Sequence, residues 1–391
     1  MQPLIFDVEC TGSQRNKANP FDPRNKMCCV SSYAFNWERP LVQEIEYADE
    51  PYQHHLEILQ GNINAADILV GFNLKFDIHW VRRYHIFLND KVRVWDCQLF
   101  YFIQSNQTKR FPSLNDVALH YNLPTKLDIV ATEYWDKGLD TDQVPWDILS
   151  EYAAYDAELT GNIFKKQYEE FQQLPKNRQN LILLHMRDLL VLEEMEFNGS
   201  KYNVDLSLSM GHNLEREIAD IDRQLFVYCP NTSISFNSDH QLSAFLYGGT
   251  VYREGKEDYT FTYVDGRTAI KQRKTVVPQV LPKIFKPLKG TSMAKDGVFS
   301  VAQDTLKTLK QQSTGFKKKI LELLLLRAKL EKQKSTYCFG TPKLMNEMQW
   351  QDNLLHGNLN QCAVITGRLS CNKPNLQNQD GKMKICFESR F

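Results

Sequence analysis

The chain has 391 residues, 42% of them apolar and 24% charged, which is too long for one ordinary core and predicts a globular protein of two or three domains. Its 47 Lys and Arg balance 47 Asp and Glu. No apolar run approaches the ~20 residues that span a bilayer, and MQPLIFDVEC lacks the basic and long apolar regions of a secretory signal, so no membrane partner is expected.

The first ~170 residues alternate short apolar runs with helix-like stretches. LIFDVE, VSSYAFNW and ADILVGFN read as strands; Leu56–Ala66, Asp77–Ile86, Ser113–Tyr121 and Trp146–Phe171 read as helices. That alternation predicts an α/β domain. Residues 172–180 (QQLPKNRQN) read as a linker, and Leu181–Phe197 as a strong helix opening a second region. Ser238 and Gln241 have capping-box spacing ahead of LSAFLY, with Gly248 and Gly249 to stop that helix. Residues 250–297 read as a hairpin and loop insertion. Phe316–Thr336 reads as a long helix with Phe316, Ile320, Leu323, Leu324 and Leu330 on one face, interrupted by Arg327.

Charge is unevenly spread. Residues 1–170 hold 25 acidic and 16 basic side chains, and the remainder 22 acidic and 31 basic. Eight Lys/Arg and no acid lie between Arg267 and Lys295. A basic second half fits a polyanion partner. The nine cysteines form no CxxC pair, which argues for free thiols in a reducing cytosol and against a zinc site.

Asp7 and Glu9 lie two apart on the first strand, so both point to one face. Two acids at the exit of a buried strand are costly unless water, a partner or a cation meets them, and each raises the other's pKa. Asp77 closes GFNLKFD at a strand–helix junction. Asp156 lies in EYAAYDAELT, with Tyr152 one helical turn before it. Any one acid alone reads as a cap or a solvated carboxylate; the four in this order, with that tyrosine, form a rarer conjunction.

FDVECTG, GFNLKFD and YAAYD resemble the three motifs of the DEDDy 3′→5′ exonucleases, over about residues 1–170. VWDCQLF and PSLNDVALHYNL resemble intermediate segments of the proofreading domains of family A DNA polymerases. The resemblance implies a ribonuclease H-like exonuclease fold over 1–175 and two Mg²⁺ ions per site, with Mn²⁺ as the alternative. It assigns Asp7, Glu9 and Asp156 to the first ion and Asp7 with Asp77 to the second. Tyr152 would position the attacking water, and Asn73 would be an outer-shell or strand-end partner. Mg²⁺ suits an all-oxygen donor set, and two ions ~3.5–4 Å apart stabilise attacking and leaving oxygens of a phosphodiester.

Residues 176–391 resemble the mainly helical thumb and the start of the palm of the same family, most specifically at LRAKLEKQKSTY and TGRLSCNKPNLQN. The resemblance implies duplex contacts from Arg368, Asn375, Gln377 and Asn378 in the minor groove. Donors there meet the N3 and O2 acceptors of every base pair, which checks pair shape without reading sequence. Lys334, Ser335 and Thr336 carry donors suited to phosphate, and the run around Lys317–Lys319 would hold the backbone.

Three family features are missing from this sequence: the D-[YF]-S-x-x-E palm motif, an R-x-x-x-K-x-x-x-[FY]-G fingers helix and an HD pair. The expectation is a proofreading exonuclease and primer–template grip that needs a second polypeptide carrying palm and fingers. The chain also starts at the exonuclease strand, as compact phage polymerases do, so a bacterial or phage-infected cytoplasm is expected. A non-catalytic DNA-clamping scaffold and a stand-alone 3′→5′ exonuclease are the competing readings.

Overall fold

The computed structural model describes residues 2–12, 17–47, 51–89, 91–230, 232–264 and 266–389. They divide into two compact units: residues 1–204 with 341–391, and residues 205–340. The segment 341–391 therefore packs with the N-terminal part, a grouping that the boundary at 175/176 does not contain.

In the first unit the strands are β1 (Pro3–Cys10), β2 (Met27–Tyr33) and β3 (Leu41–Glu44). Next come α1 (Gln53–Ala65), β4 (Ile68–Gly71), α2 (Leu74–Arg83), β5 (Arg93–Asp96), α3 (Cys97–Gln104), α4 (Leu114–His120) and α5 (Ile129–Glu133). The long helices α6 (Trp146–Gln173) and α7 (Lys176–Asn198) follow. The five strands form one sheet in the order β3-β2-β1-β4-β5, antiparallel on the β2 side of β1 and parallel on the β4 side. This is the α/β, ribonuclease H-like arrangement. Leu4, Ile5, Phe6 and Val8 of β1 are buried together with Ile68, Leu69 and Val70 of β4, and α6 packs across β1 and β2. Each such side chain, fully buried, contributes about 1.5–3 kcal/mol.

The expected linker at 172–180 is mostly helix. Only Leu174 and Pro175 break the run, and α7 starts at Lys176 directly behind the proline, where a missing N–H costs nothing. After α7 a short strand, β6 (Ser200–Lys201), pairs with Leu354–Leu355.

The second unit opens with α8 (Val204–Phe226) and α9 (Asp239–Tyr247). Half of the expected capping box forms: Ser238 Oγ accepts the Gln241 N–H, but Gln241 Oε1 turns back to accept the Ser235 N–H. A hairpin of two 14-residue strands, β7 (Gly249–Thr262) and β8 (Thr268–Leu281), stands out from the unit with Tyr252, Ile270, Val276 and Val280 exposed. Helices α10 (Gln303–Gln311) and α11 (Gly315–Lys332) complete the core, and α11 runs on into a wide π-helical turn over Gln333–Phe339.

Ile320, Leu323, Leu324 and Leu330 are buried on α11 as expected, but Phe316 is exposed at the first turn. Arg327 is part of the core rather than a break in it. Its Nε lies 2.6 Å from Asp222 Oδ1 and one Nη donates to Asn237 Oδ1 at 2.6 Å. A buried guanidinium persists only with such partners.

Back in the first unit, α12 (Gly340–Glu347) leads to β9 (Leu354–Leu355), β10 (Asn358–Asn360) and β11 (Ser370–Asn372). The ICF run at 385–387 is not a strand: Met383–Cys386 is a 3-10 turn, with Ile385 exposed. Phe387 makes a single β-bridge to Tyr202 and an edge-on ring contact with it at 5.2 Å, so its neighbours are already in this chain. All nine cysteines are buried, and none is in a disulfide.

Candidate metal-dependent active site

Asp7, Glu9 and Asp156 converge from two elements, and Asp77 approaches β1 from a third. Strand alternation puts Asp7 and Glu9 on the same face of β1, and a register shift between Glu9 and Cys10 ends the regular pairing with β2 there. The exit of β1 is pinned by the segment just before α6. Gly12 N–H donates to Asp140 Oδ1 at 2.9 Å, and Thr141 Oγ1 donates to the Cys10 carbonyl at 2.8 Å. Asp156 comes from α6, with Tyr152 on the preceding turn. Carboxylate oxygens of Asp7, Glu9 and Asp156 lie within 4.8 Å of one another.

Asp77 enters from the first turn of α2, where its Oδ1 accepts the Val8 N–H at 3.1 Å, between the two β1 acids in sequence. Asp96, at the end of β5, fixes the start of that helix. Its two oxygens accept N–H bonds from Asn73 and Leu74 at the head of α2, and also from Gln98 and Leu99 at the head of α3. One carboxylate thus caps two helices. Asn73 takes the left-handed conformation (φ 58°), turning the chain between β4 and α2, and its side chain is exposed.

The electrostatics are those of crowded acids. Burial first, and then the Asp156 charge, push the Asp7 carboxyl up to about 7. Burial followed by Asp7 and Asp156 raises Glu9 well above the usual range, and burial with Asp7 raises Asp77 despite the Val8 N–H. Burial also raises Asp156, while Lys126 and the Tyr152 hydroxyl hold it back. Tyr152 is almost wholly buried, and burial beside Glu9 and Asp156 drives its phenol far above the ordinary value. It stays a neutral hydrogen-bond donor at any working pH.

Asp156 Oδ1 is buried and has no hydrogen-bond partner among the described residues. An orphaned oxygen beside two further carboxylates fits a hard divalent cation, which takes oxygen ligands and removes like-charge repulsion.

Lys126 was not singled out in the sequence. It sits in the loop after α4, with Nζ 2.8 Å from Asp156 Oδ2 and 4.7 Å from the Tyr152 ring centre. A single lysine in a loop has no periodic partner, and only tertiary structure brings it here. A cavity of about 480 Å³ elsewhere in the first unit, between Phe21, Lys75, His79 and Trp350, is lined by none of the four acids.

The expected DNA contacts fall in both units. In the second, Lys334 pairs with Glu331 at 3.0 Å, Ser335 Oγ donates to the Glu331 carbonyl at 2.7 Å, and Ser335 and Thr336 are exposed on the π-helical turn. In the first, Arg368, Asn375, Gln377 and Asn378 are all exposed. Asn375 Oδ1 accepts the Gln377 N–H at 3.2 Å, opening the short turn Leu376–Asn378.

Two protein families match the chain. Residues 1–171 match the 3'-5' exonuclease family and residues 270–387 match DNA polymerase family A. DNA polymerase I of Synechocystis sp. is 26% identical over 84% of this chain, and that of Chloroflexus aurantiacus is 25% identical over 60%. The alignments take in 30% and 21% of those proteins, so the chain spans under a third of either. The DNA polymerase of Bacillus phage SP01 is 23% identical over 99% of this chain and 45% of its own length. Among solved structures, the polymerase domain of Pol1 from M. smegmatis, bound to primer-template and dNTP, superposes with a TM-score of 0.64 at 15% identity. That match covers 98% of this chain and 54% of that one. The chain thus resembles the family A DNA polymerases, matching the 3'-5' exonuclease family at its N-terminal end and DNA polymerase family A toward its C-terminal end.

Proposed function

We propose that the first ~175 residues are a metal-dependent 3′→5′ exonuclease acting on DNA ends, and that residues 176–391 supply thumb and partial palm surfaces that grip a primer–template duplex. The observation that carries the nuclease reading is the convergence of Asp7, Glu9 and Asp156 around the orphaned Asp156 oxygen. Asp7, Glu9 and Asp156 would hold one Mg²⁺ ion, and Asp7 with Asp77 a second. Bound there, the ions would polarise the scissile phosphate and lower the pKa of a water.

The protein's own groups do the rest. Tyr152, neutral and held by Asp156, donates no proton to the reaction but orients the attacking water from one side. The buried sheet and α6 keep the carboxylates from relaxing apart, so the repulsion among them is relieved by a cation or by protonation. The M. smegmatis polymerase is bound to primer-template, which supports assigning duplex contact to Arg368, Asn375, Gln377 and Asn378 here. DNA synthesis by the family mechanism would draw its acidic palm motif from residues outside these 391, on a second polypeptide or on the same one.

The test is the double substitution Asp7→Ala with Glu9→Ala. It should abolish Mg²⁺-dependent release of 3′ nucleotides from single-stranded DNA while leaving the fold intact by circular dichroism. Undiminished cleavage would refute the assignment.

A further inference from the structure

We propose that Lys126 is a built-in counter-ion of the acidic cluster, which holds Asp156 in place without metal and competes with a divalent cation for its carboxylate. The inference rests on the exonuclease reading and names a positioning residue within that site.

Three observations carry it. The ammonium of Lys126 is 2.8 Å from Asp156 Oδ2, while the other oxygen of the same carboxylate has no partner among the described residues. Asp156 is therefore half satisfied by a cation of the chain and half open to another. Lys126 is also held there rather than drifting in solvent. Its backbone N–H donates to Asn115 Oδ1 of α4 at 2.9 Å, and the neighbouring Thr125 carbonyl accepts the Tyr155 hydroxyl of α6 at 3.1 Å. Finally, the ammonium lies over the Tyr152 ring at 4.7 Å, an attraction that turns the tyrosine and the carboxylate toward one cation.

The geometry has a direct consequence. Asp7, Glu9 and Asp156 bring three carboxyl groups into one buried place, and Lys126 supplies the only cation that the described structure sets against Asp156. Without metal, the lysine pairs with the Asp156 carboxylate. When a divalent ion takes up Asp156, it must displace the lysine or share the carboxylate with it, and like charge between ammonium and metal weakens the metal. Displaced, the ammonium remains beside the cluster, where an incoming phosphate would be its next anion.

The experiment compares the metal-stripped wild type with Lys126→Met and Lys126→Arg. Mn²⁺ binding is read by calorimetry, and melting temperature is read in EDTA and in saturating Mn²⁺. Lys126→Met should bind Mn²⁺ on the order of tenfold more tightly than wild type. It should melt lower than wild type in EDTA, and the gap should close in Mn²⁺. Lys126→Arg, which keeps the charge, should stay near wild type in both readouts. Equal Mn²⁺ affinity in wild type and Lys126→Met, with an unchanged melting gap, would overturn the proposal while leaving the exonuclease reading standing. Failure of wild type to bind Mn²⁺ at all would overturn both.

Discussion

His79 Nε2 lies 2.8 Å from Glu196 Oε2, joining the helix that carries Asp77 to the long helix α7. On its other side His79 Nδ1 is 3.1 Å from Glu193 Oε1. Lys75 adds a 2.6 Å bond to Glu196 and Arg82 a 2.9 Å bond to Glu193. Glu196 also accepts the Leu359 N–H, and Lys75 reaches the Leu359 carbonyl at 2.5 Å, so β10 is tied in. Burial disfavours the imidazolium, but the two glutamates outweigh it and His79 is raised. Burial likewise works against the Glu196 carboxylate, but His79 and Lys75 hold it below its usual value. The stability from His79 is therefore complete below about pH 6.5 and is lost as pH climbs through the raised value. That from Glu196 is present above its unfolded pKa and lost as pH falls through the depressed one. Urea unfolding should show His79→Gln weakened by about 3 kcal/mol at pH 6, with a smaller deficit at pH 9.

Tyr152→Phe removes one hydroxyl from a side chain that is otherwise fully packed. Single-turnover nucleotide release should slow by about 10²-fold, with Mn²⁺ affinity and melting temperature close to wild type. A large loss of metal binding would mean that the hydroxyl serves Asp156 more than water.

The metal-free site has a pH signature of its own. Asp7, Glu9 and Asp77 are raised, so the folded state holds protons that the unfolded chain has released. Their stability is present below about pH 4 and is lost as pH rises, for Asp7 through about 7. In EDTA the melting temperature should fall between pH 5 and 8, and Mg²⁺ should restore it most at the alkaline end. Asp7→Asn should flatten the fall.

Arg368 is exposed and carries a full charge on the segment assigned to the minor groove. Arg368→Ala should weaken binding to a primer–template duplex by about tenfold at low salt and reduce the salt slope by about one. Digestion of a single strand should be unaffected. Fluorescence anisotropy over a salt series checks both.

The shared face of Asp7 and Glu9, and the stacking of Tyr152 on Asp156, were legible because those spacings are local, while their meeting came from the resemblance to a family. Period two on β1 and one helical turn on α6 place side chains regardless of what surrounds them. Lys126 was not legible, because a loop lysine acquires a role only from the distance a fold imposes. Asp96 looked like part of a family segment, and its double cap depends on α2 and α3 starting side by side. Arg327 read as a break in an apolar face because its partners, Asp222 and Asn237, lie far away in sequence.

The burial of every thiol gives the molecule an internal timing device. Cys229 and Cys338 belong to the second unit and the other seven to the first. An alkylating reagent reaches them only when the surrounding structure opens, so peptide-resolved labelling over time would read the opening rates of the two units separately in one sample.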